Sequence, residues 1–239
     1  MYFFGLHCVY GFGEKPPKER SLKNPTALCV VTSLVTSVAM ADIYYDPTGD
    51  IATGNPNLDI TQVEVKDDGV DLFVSMTVAD LDADWGNYLL YINLSGYSGS
   101  GDNDNPWGRN ISGLAGTNYF MGSWLDGGGG DDSYSYNDGW FNLEESYVDF
   151  SIDWLTSTVT WTYYGFVDYY QFDVSGIDFE VATTGGNWGD PAIDLLGGQG
   201  GNWGEGSTGA WTYYEFSTVP APSALALLAM AGLNRRRRS

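Results

Sequence analysis

Tryptophans in loops rich in glycine, asparagine and aspartate are the residues of this chain best suited to hold a ligand. All nine tryptophans lie between residues 42 and 218, and four of them occupy such loops: Trp85, Trp107, Trp188 and Trp203. An exposed indole needs a partner for its apolar face, and the ring of a sugar supplies one. The alternative is that each indole folds back to anchor its own loop. We take these four residues as the candidate ligand contacts.

Arg109 is one of only two cations between residues 42 and 218, and it follows Trp107 in the segment NPWGRN. A guanidinium in such a loop can pair with a carboxylate or hold loop carbonyls. It can also donate to a sugar hydroxyl while Trp107 stacks on the ring. The structural role is favoured because an unpaired buried arginine is costly, and Arg109 is kept as a candidate ligand contact.

Aspartates at alternate positions are the candidate metal ligands: Asp80, Asp82 and Asp84 in DLDADWGN, and Asp102 and Asp104 in GDNDN. Alternating carboxylates can surround a hard cation, as in the first half of a calcium loop. Tyr91 stands at the twelfth position, where an EF-hand has a bidentate glutamate, so the segment is not an EF-hand. Calcium is the candidate ion, with Asp131 and Asp132 as further donors. Solvated acidic loops are the alternative.

Histidine and cysteine are missing from residues 42–218, because His7, Cys8 and Cys29 all precede that range. This excludes Ser-His-Asp and Cys-His catalysis there, zinc held by those residues and disulfides. The same range holds 29 acidic and two basic residues, a formal charge of −27. Such a charge disfavours nucleic acid, whose phosphates are neutralised by Lys and Arg. It favours hard cations or neutral partners.

Catalysis is the less favoured function. A glycosidase needs only two carboxylates, and acidic residues are plentiful, but nothing in the sequence singles out a pair. We therefore expect binding without catalysis. The first alternative is a structural surface or biofilm-matrix protein without a specific ligand, and a glycan-degrading enzyme is the second.

The segments VDLFVSMTV, YVDFSID, TVTWTYY and IDFEV alternate apolar and polar residues. A period of two predicts half-buried antiparallel strands. Asp67-Asp68-Gly69 predicts a hairpin turn, and a change of phase in LDITQVEV predicts a bulge or a strand that changes sheets. No stretch of residues 42–218 is convincingly helical. The expected fold is all-β, an antiparallel β-sandwich of the jelly-roll or immunoglobulin-like two-sheet type.

Two further patterns concern tryptophans. Trp154, Trp161 and Trp211 lie within or beside predicted strands, so we expect them in the core or packed on a sheet face. The segment GGNWG occurs twice, at residues 185–189 and 200–204. This spacing is not that of a solenoid or propeller repeat. The two copies are predicted to be paired loops of one domain.

Several short segments carry a family likeness, in this order: DPTGD (46–50), YLLYINL (88–94), NPWGRNI (105–111), YFMGSWLDG (119–127) and DPAIDLL (190–196). Together they resemble the β-sandwiches of DOMON domains and family-nine carbohydrate-binding modules of secreted bacterial proteins. That resemblance implies sugar recognition by aromatic platforms, with a structural calcium ion in some members. Its haem-binding members use Met and His ligands, so a domain without histidine is not expected to bind haem.

The N-terminal segment has the pattern of a secretory signal peptide. Four basic residues precede the apolar run at residues 27–38, and Ala39-Met40-Ala41 follows it, so cleavage is expected after Ala41. A run of 12 residues is short for a bilayer span, which needs roughly 20. A buried N-terminal helix is the alternative. The predicted organisation is a leader at 1–41, a β-sandwich at 42–218 and a tail at 219–239.

The tail has three parts: Pro220 and Pro222, an apolar run at 224–233, and four arginines at 235–238. It resembles the PEP-CTERM sorting signals of bacterial envelope proteins, although Ala221 stands where their glutamate would be. The resemblance implies cleavage by an exosortase-like membrane enzyme and transient membrane association, with the arginines on the cytoplasmic side. An amphipathic or disordered tail is the alternative. The expected location is the cell surface, the outer envelope or the extracellular space.

Overall fold

The computed structural model describes residues 41–82, 84–94 and 105–217, which form two packed, mainly antiparallel sheets. The all-β sandwich expected from the alternating segments is confirmed. One sheet has five strands and the other has seven, and a small parallel pair of strands forms a third.

The first strands of the chain are β1 Ala41–Tyr45, β2 Ile60–Asp67, β3 Leu72–Val78, β4 Asn87–Asn93, β5 Ile111–Ser112, β6 Tyr119–Trp124 and β7 Gly130–Tyr136. The later ones are β8 Trp140–Asn142, β9 Val148–Asp153, β10 Thr158–Tyr163, β11 Gly176–Thr184, β12 Ala192–Leu195, β13 Ser207–Thr208 and β14 Thr212–Glu215. In the described part of the chain, one short helix, α1, spans Phe166–Tyr170, and 3-10 turns span Pro56–Leu58 and Asp126–Gly128. The five-stranded sheet has the order β1-β2-β3-β10-β9, and the seven-stranded sheet has the order β12-β11-β4-β6-β7-β8, with β14 also paired to β11. The parallel pair is β5 with β13.

The main core lies between the two sheets and is built from their alternating apolar residues. Trp161 is buried there, as expected, and donates from Nε1 to Ser123 Oγ at 2.7 Å, which joins β10 to the facing sheet. A second cluster covers the other face of β4 and β6, where Tyr91 and Phe120 pack under the loops that follow residue 105. Strand β4 is therefore buried on both faces, and its outer neighbours are held against a rigid sheet.

The local predictions have mixed outcomes. β2 and β3 form the expected hairpin, with Gly69 at φ 85°, and their register shifts between Ile60 and Gln62, which confirms the bulge. Helix α1 was not expected, since five residues are too few to show a helical period. The expectation for Trp154 is wrong: it lies in the turn after β9 and is half-exposed.

The predicted leader, apart from Ala41, and the predicted sorting tail lie outside the described residues. Asp102 and Asp104 lie outside them as well. Within the described part of the chain, no helix has both the length and the apolar character that crossing a membrane requires.

Candidate functional site

Four loops at the ends of the second sheet's strands converge on one cavity of about 560 Å³. They are the segments before β4, before β5, between β6 and β7, and between β11 and β12. The cavity brings together three of the four candidate tryptophans, Arg109 and a fourth indole, Trp124. We call it the tryptophan cavity; its lining is Trp85, Gly86, Asn87, Pro106, Trp107, Arg109, Trp124, Asp126, Asp132, Gly186 and Trp188.

Glycines set the positions of these indoles. A Cβ atom built on Gly122 would lie 2.5 Å from Cζ2 of Trp107, and one on Gly130 would lie 2.5 Å from Cζ2 of Trp124. A Cβ on Gly108 would lie 2.2 Å from the Trp188 ring. Each indole therefore packs directly against the backbone of a glycine, and a residue with a Cβ atom at that position would collide with the ring. Trp107 and Trp124 also contact each other, with ring centroids 6.1 Å apart.

The fourth candidate, Trp203, adjoins the cavity through Trp85, with ring centroids 6.3 Å apart. A Cβ atom on Gly185 would lie 2.8 Å from Cζ3 of Trp203, so this indole packs against the first GGNWG segment. The two copies of GGNWG are thus in contact, as predicted for paired loops. Trp188 is 80% exposed and Trp203 is partly exposed, so neither folds wholly back onto its own loop.

Backbone hydrogen bonds join the loop that carries Trp107 to the loop that carries Trp188. Gly189 N donates to Gly108 O at 3.0 Å, and Asn110 N donates to Asp190 O at 2.9 Å. The Asn105 side chain closes the first loop by bonding both N and O of Arg109. These contacts fix the two indoles relative to each other before any ligand arrives.

Arg109 is only 8% exposed, and its Nη1 donates to the carbonyl of Asn187. Its guanidinium carbon lies 5.3 Å from the centroid of the Trp107 ring, a cation–π contact. Among the described residues it has no carboxylate within ion-pair distance. Burial lowers the pKa of Arg109, while the charge of Asp190 raises it. Of the two structural roles expected from the sequence, the holding of loop carbonyls is the one observed.

Two carboxylates also line the cavity. Asp132 accepts a hydrogen bond from Trp107 Nε1 at 3.3 Å, so it orients the indole as well as contributing charge. Asp126 lies in the 3-10 turn between β6 and β7. Trp124 and Asp126 were not among the predicted site residues, although both lie in the segment YFMGSWLDG. A tryptophan at the last position of a strand was the signal that could have found them.

The aspartates at alternate positions do not gather around a common point in the described residues. Asp82 Oδ1 accepts from Asp84 N at 2.9 Å, which is an Asx turn within its own loop. Asp80 is exposed and donates its backbone N–H to Pro56 O. Their role as metal ligands stays a prediction.

A different group of acidic residues does converge: carboxylate oxygens of Asp46, Asp50 and Asp194 all lie within 4.8 Å of one another. We call it the aspartate cluster. Asp46 follows β1 in the first sheet, and Asp194 lies in β12 of the second. Asp46 and Asp50 come from the segment DPTGD, and Asp194 comes from DPAIDLL. Because these segments lie far apart in sequence, the cluster was not predicted.

The chemistry of the aspartate cluster suits a hard cation. Asp46 Oδ2 is buried and has no hydrogen-bond partner among the described residues. Burial, and then the charges of Asp50 and Asp59, raise the pKa of Asp46 to about 7. Burial also raises the pKa of Asp194 to about 7, with the charge of Asp46 adding to it. Crowded carboxylates with an unsatisfied oxygen gain most from a bound divalent ion.

The sequence matches no protein-family model and no curated protein. The function proposed for it therefore rests on the geometry of the tryptophan cavity and the chemistry of its walls.

Proposed function

We propose that this protein is an exported, non-catalytic carbohydrate-binding β-sandwich. The observation that carries the proposal is the convergence of Trp85, Trp107 and Trp188 on one preformed cavity. Indole faces stack on the apolar faces of sugar rings, and Asn87 and the two lining aspartates supply polar groups for hydroxyls. A preformed cavity of this volume with convergent polar groups is typical of a ligand site.

The negative charge of the domain restricts the class of glycan that is proposed to bind. Residues 42–218 carry a formal charge of −27. Among the described residues that line the cavity, the one cation is Arg109, which donates to a loop carbonyl. Polysaccharides built on uronic acids are negatively charged, so this domain would repel them. The proposed ligand is therefore a neutral glycan.

The test is calorimetric titration of the purified protein with cello-, xylo-, manno-, laminari- and chito-hexaose. We expect at least one to bind, and Trp188→Ala to weaken it by tenfold or more at unchanged melting temperature, because Trp188 is largely exposed. Trp154→Ala is the matched control, since Trp154 is also exposed but does not line the cavity. Equal binding by Trp188→Ala and wild type would contradict the proposal.

Two alternatives have defined outcomes in the same experiment. A structural surface or biofilm-matrix protein would bind none of the five hexasaccharides; the exposure of Trp188 and Trp203 weighs against it. A glycan-degrading enzyme would release reducing ends from a bound hexasaccharide, and the pair to change would be Asp126 and Asp132, both in the cavity wall.

Calcium is the proposed stabilising ion, and the aspartate cluster is its proposed site. Asp46, Asp50 and Asp194 would hold it through carboxylate oxygens, as hard cations require. The ion would neutralise crowded charge and tie the segment after β1 to β12.

Export and sorting are also part of the proposal, supported by the two terminal sequence patterns. Deletion of residues 219–239 is expected to release the protein from the envelope into the medium. Fractionation of cells that express the full and shortened chains measures this. An unchanged distribution would count against a sorting role for the tail.

A further inference from the structure

A second cavity, of about 340 Å³, lies where β6 begins, β10 ends and helix α1 packs beside them. Phe166 and Leu143 form part of its wall. The remaining walls are dominated by phenol rings, and we call it the tyrosine cavity after Tyr119, Tyr147, Tyr163, Tyr164, Tyr169 and Tyr170. Its volume falls within the range of small-molecule sites, about 300–1,000 Å³.

The walls of the tyrosine cavity are aromatic and uncharged. None of the described residues that line it is charged, in a domain whose formal charge is −27. Tyr169 is 71% exposed at the rim, and Tyr147 and Tyr164 are also exposed. Large exposed aromatic rings around a concave surface are unusual on a protein that has no ligand there.

Tyr163 adds a hydrogen-bonding requirement. Its side chain is 2% exposed, and its hydroxyl has no hydrogen-bond partner among the described residues. The neighbouring hydroxyls of Tyr119 and Tyr170, by contrast, are hydrogen-bonded to each other. A buried hydroxyl without a partner is unfavourable, and a ligand atom that pairs with it recovers the loss.

We propose that the tyrosine cavity is a second binding site, which accepts a unit of a neutral saccharide. Phenol rings offer stacking faces, and the unpaired Tyr163 hydroxyl calls for a polar but uncharged partner, which together match the faces and hydroxyls of a sugar ring. A charged ligand would find no counter-charge in these walls. The site goes beyond the proposed function of the tryptophan cavity, and either can bind alone.

The placement of the two cavities has a consequence for binding. Tyr119, the first residue of β6, lines one cavity, and Trp124, the last residue, lines the other. Five steps of an extended strand separate these residues by about 17 Å. The sites thus lie at opposite ends of the strand, where two separate polysaccharide chains can be held by one domain.

The test uses the purified protein and the same five neutral hexasaccharides, with melting temperature measured for every variant. Trp188→Ala weakens the tryptophan cavity, so that binding to this variant which depends on Tyr169 reports the tyrosine cavity. We expect one hexasaccharide to bind this variant, and the further change Tyr169→Ala to weaken that binding about tenfold. Tyr45→Ala, also at an exposed tyrosine but outside the cavity, is the control and should change nothing.

Tyr163→Phe separates a ligand contact from a structural role. It removes only the hydroxyl, so we expect about fivefold weaker binding at the tyrosine cavity with a melting temperature that is unchanged or higher. A lower melting temperature with unchanged binding would overturn the role of this hydroxyl.

Other outcomes overturn the site as a whole. If no hexasaccharide binds Trp188→Ala, or if Tyr169→Ala has no effect, the tyrosine cavity is not a saccharide site. Binding of 1-naphthol that depends on Tyr169, without saccharide binding, would make it a site for apolar aromatic molecules. If only the tryptophan cavity does not bind saccharide, Tyr169→Ala will weaken binding and Trp188→Ala will leave it unchanged.

Discussion

At the residue scale, the tryptophan cavity depends on glycines as much as on the indoles they support. Gly122 lies in the middle of β6, where a side chain would ordinarily strengthen a strand. Its Cβ would instead occupy space within 2.5 Å of Trp107. The glycine is thus explained by the ring that lies on it.

Gly122→Ala is therefore expected to weaken the proposed glycan binding about tenfold, although every indole is still present. The added methyl group must displace Trp107, since real contacts of this kind stay beyond about 3 Å. Gly206→Ala is the matched control, because Gly206 does not line the cavity and its Cβ would meet nothing nearer than Asn110 Nδ2, at 3.4 Å. Calorimetry compares the two. Equal affinity in both variants would show that the position of Trp107 does not matter.

Arg109→Met is expected to lower the melting temperature, because Arg109 holds the Asn187 carbonyl from a buried position. Loss of a hydrogen bond to a charged group costs about 2 kcal/mol, and in a domain of this size that is roughly 6 °C. Lys66→Met removes the same charge from a partly exposed pair with Glu64 and should shift the temperature by about 1 °C or less. A drop as large for Lys66→Met would mean that net charge, not the loop contact, is responsible.

At the scale of elements, strand β11 carries a carboxyl group into a fully buried position. Glu180 is 0% exposed, and its carboxylate accepts from the backbone N–H groups of Val181, Gly197 and Ala210. Burial raises the pKa of Glu180 to about 7, although these hydrogen bonds oppose the shift. The strand therefore joins two loops through one titratable side chain.

The folded protein holds the Glu180 proton up to about pH 7, whereas the unfolded chain loses it near pH 4.5. The contribution of Glu180 to stability is thus fully present below pH 4.5 and is lost as pH rises to about 7, a fall of roughly 3 kcal/mol. Urea unfolding in EDTA at pH 5 and pH 8 measures the fall. Glu180→Gln should reduce it, leaving the part due to Asp46 and Asp194, whose pKa values are also raised. An unchanged fall in Glu180→Gln would contradict this assignment.

Sequence patterns predicted the elements whose causes are local. Alternation predicted β3, β9 and β10 in the first sheet and β11 in the second. Gly69 marked the hairpin, and the phase change at Ile60 marked the bulge. The patterns missed what depends on distant contacts: the one-turn helix α1, and the convergence of Asp46 with Asp194. Trp85, Trp107 and Trp188 were identified from their loops, but their meeting in one cavity depends on strand order, which no local pattern contains.

At the scale of the whole molecule, the aspartate cluster connects the beginning of the fold to its last third. Because Asp46 follows a strand of the first sheet and Asp194 lies in the second, a bound ion would link the two sheets. Ligands that bind only the folded state raise its stability by mass action.

We expect calcium at about 100 times its dissociation constant to raise the melting temperature at pH 8 by roughly 8 °C relative to EDTA, from about 2.7 kcal/mol of binding energy. Asp46→Asn should abolish this response, whereas Asp82→Asn should retain it. The opposite pattern would move the site to the aspartates first suggested by the sequence. No response in the wild-type protein would dispose of the calcium proposal.

The scarcity of cations in this domain also bears on the export proposed above. Proteases of trypsin specificity cleave after lysine or arginine, and residues 42–218 offer them only Lys66 and Arg109. Lys66 lies in β2, which is hydrogen-bonded on both sides by β1 and β3, and the backbone of Arg109 is held on both sides by Asn105. Cleavage at either residue must wait for local unfolding. The folded domain therefore offers such an enzyme almost no accessible site, a property that would be useful if the protein is exported as proposed.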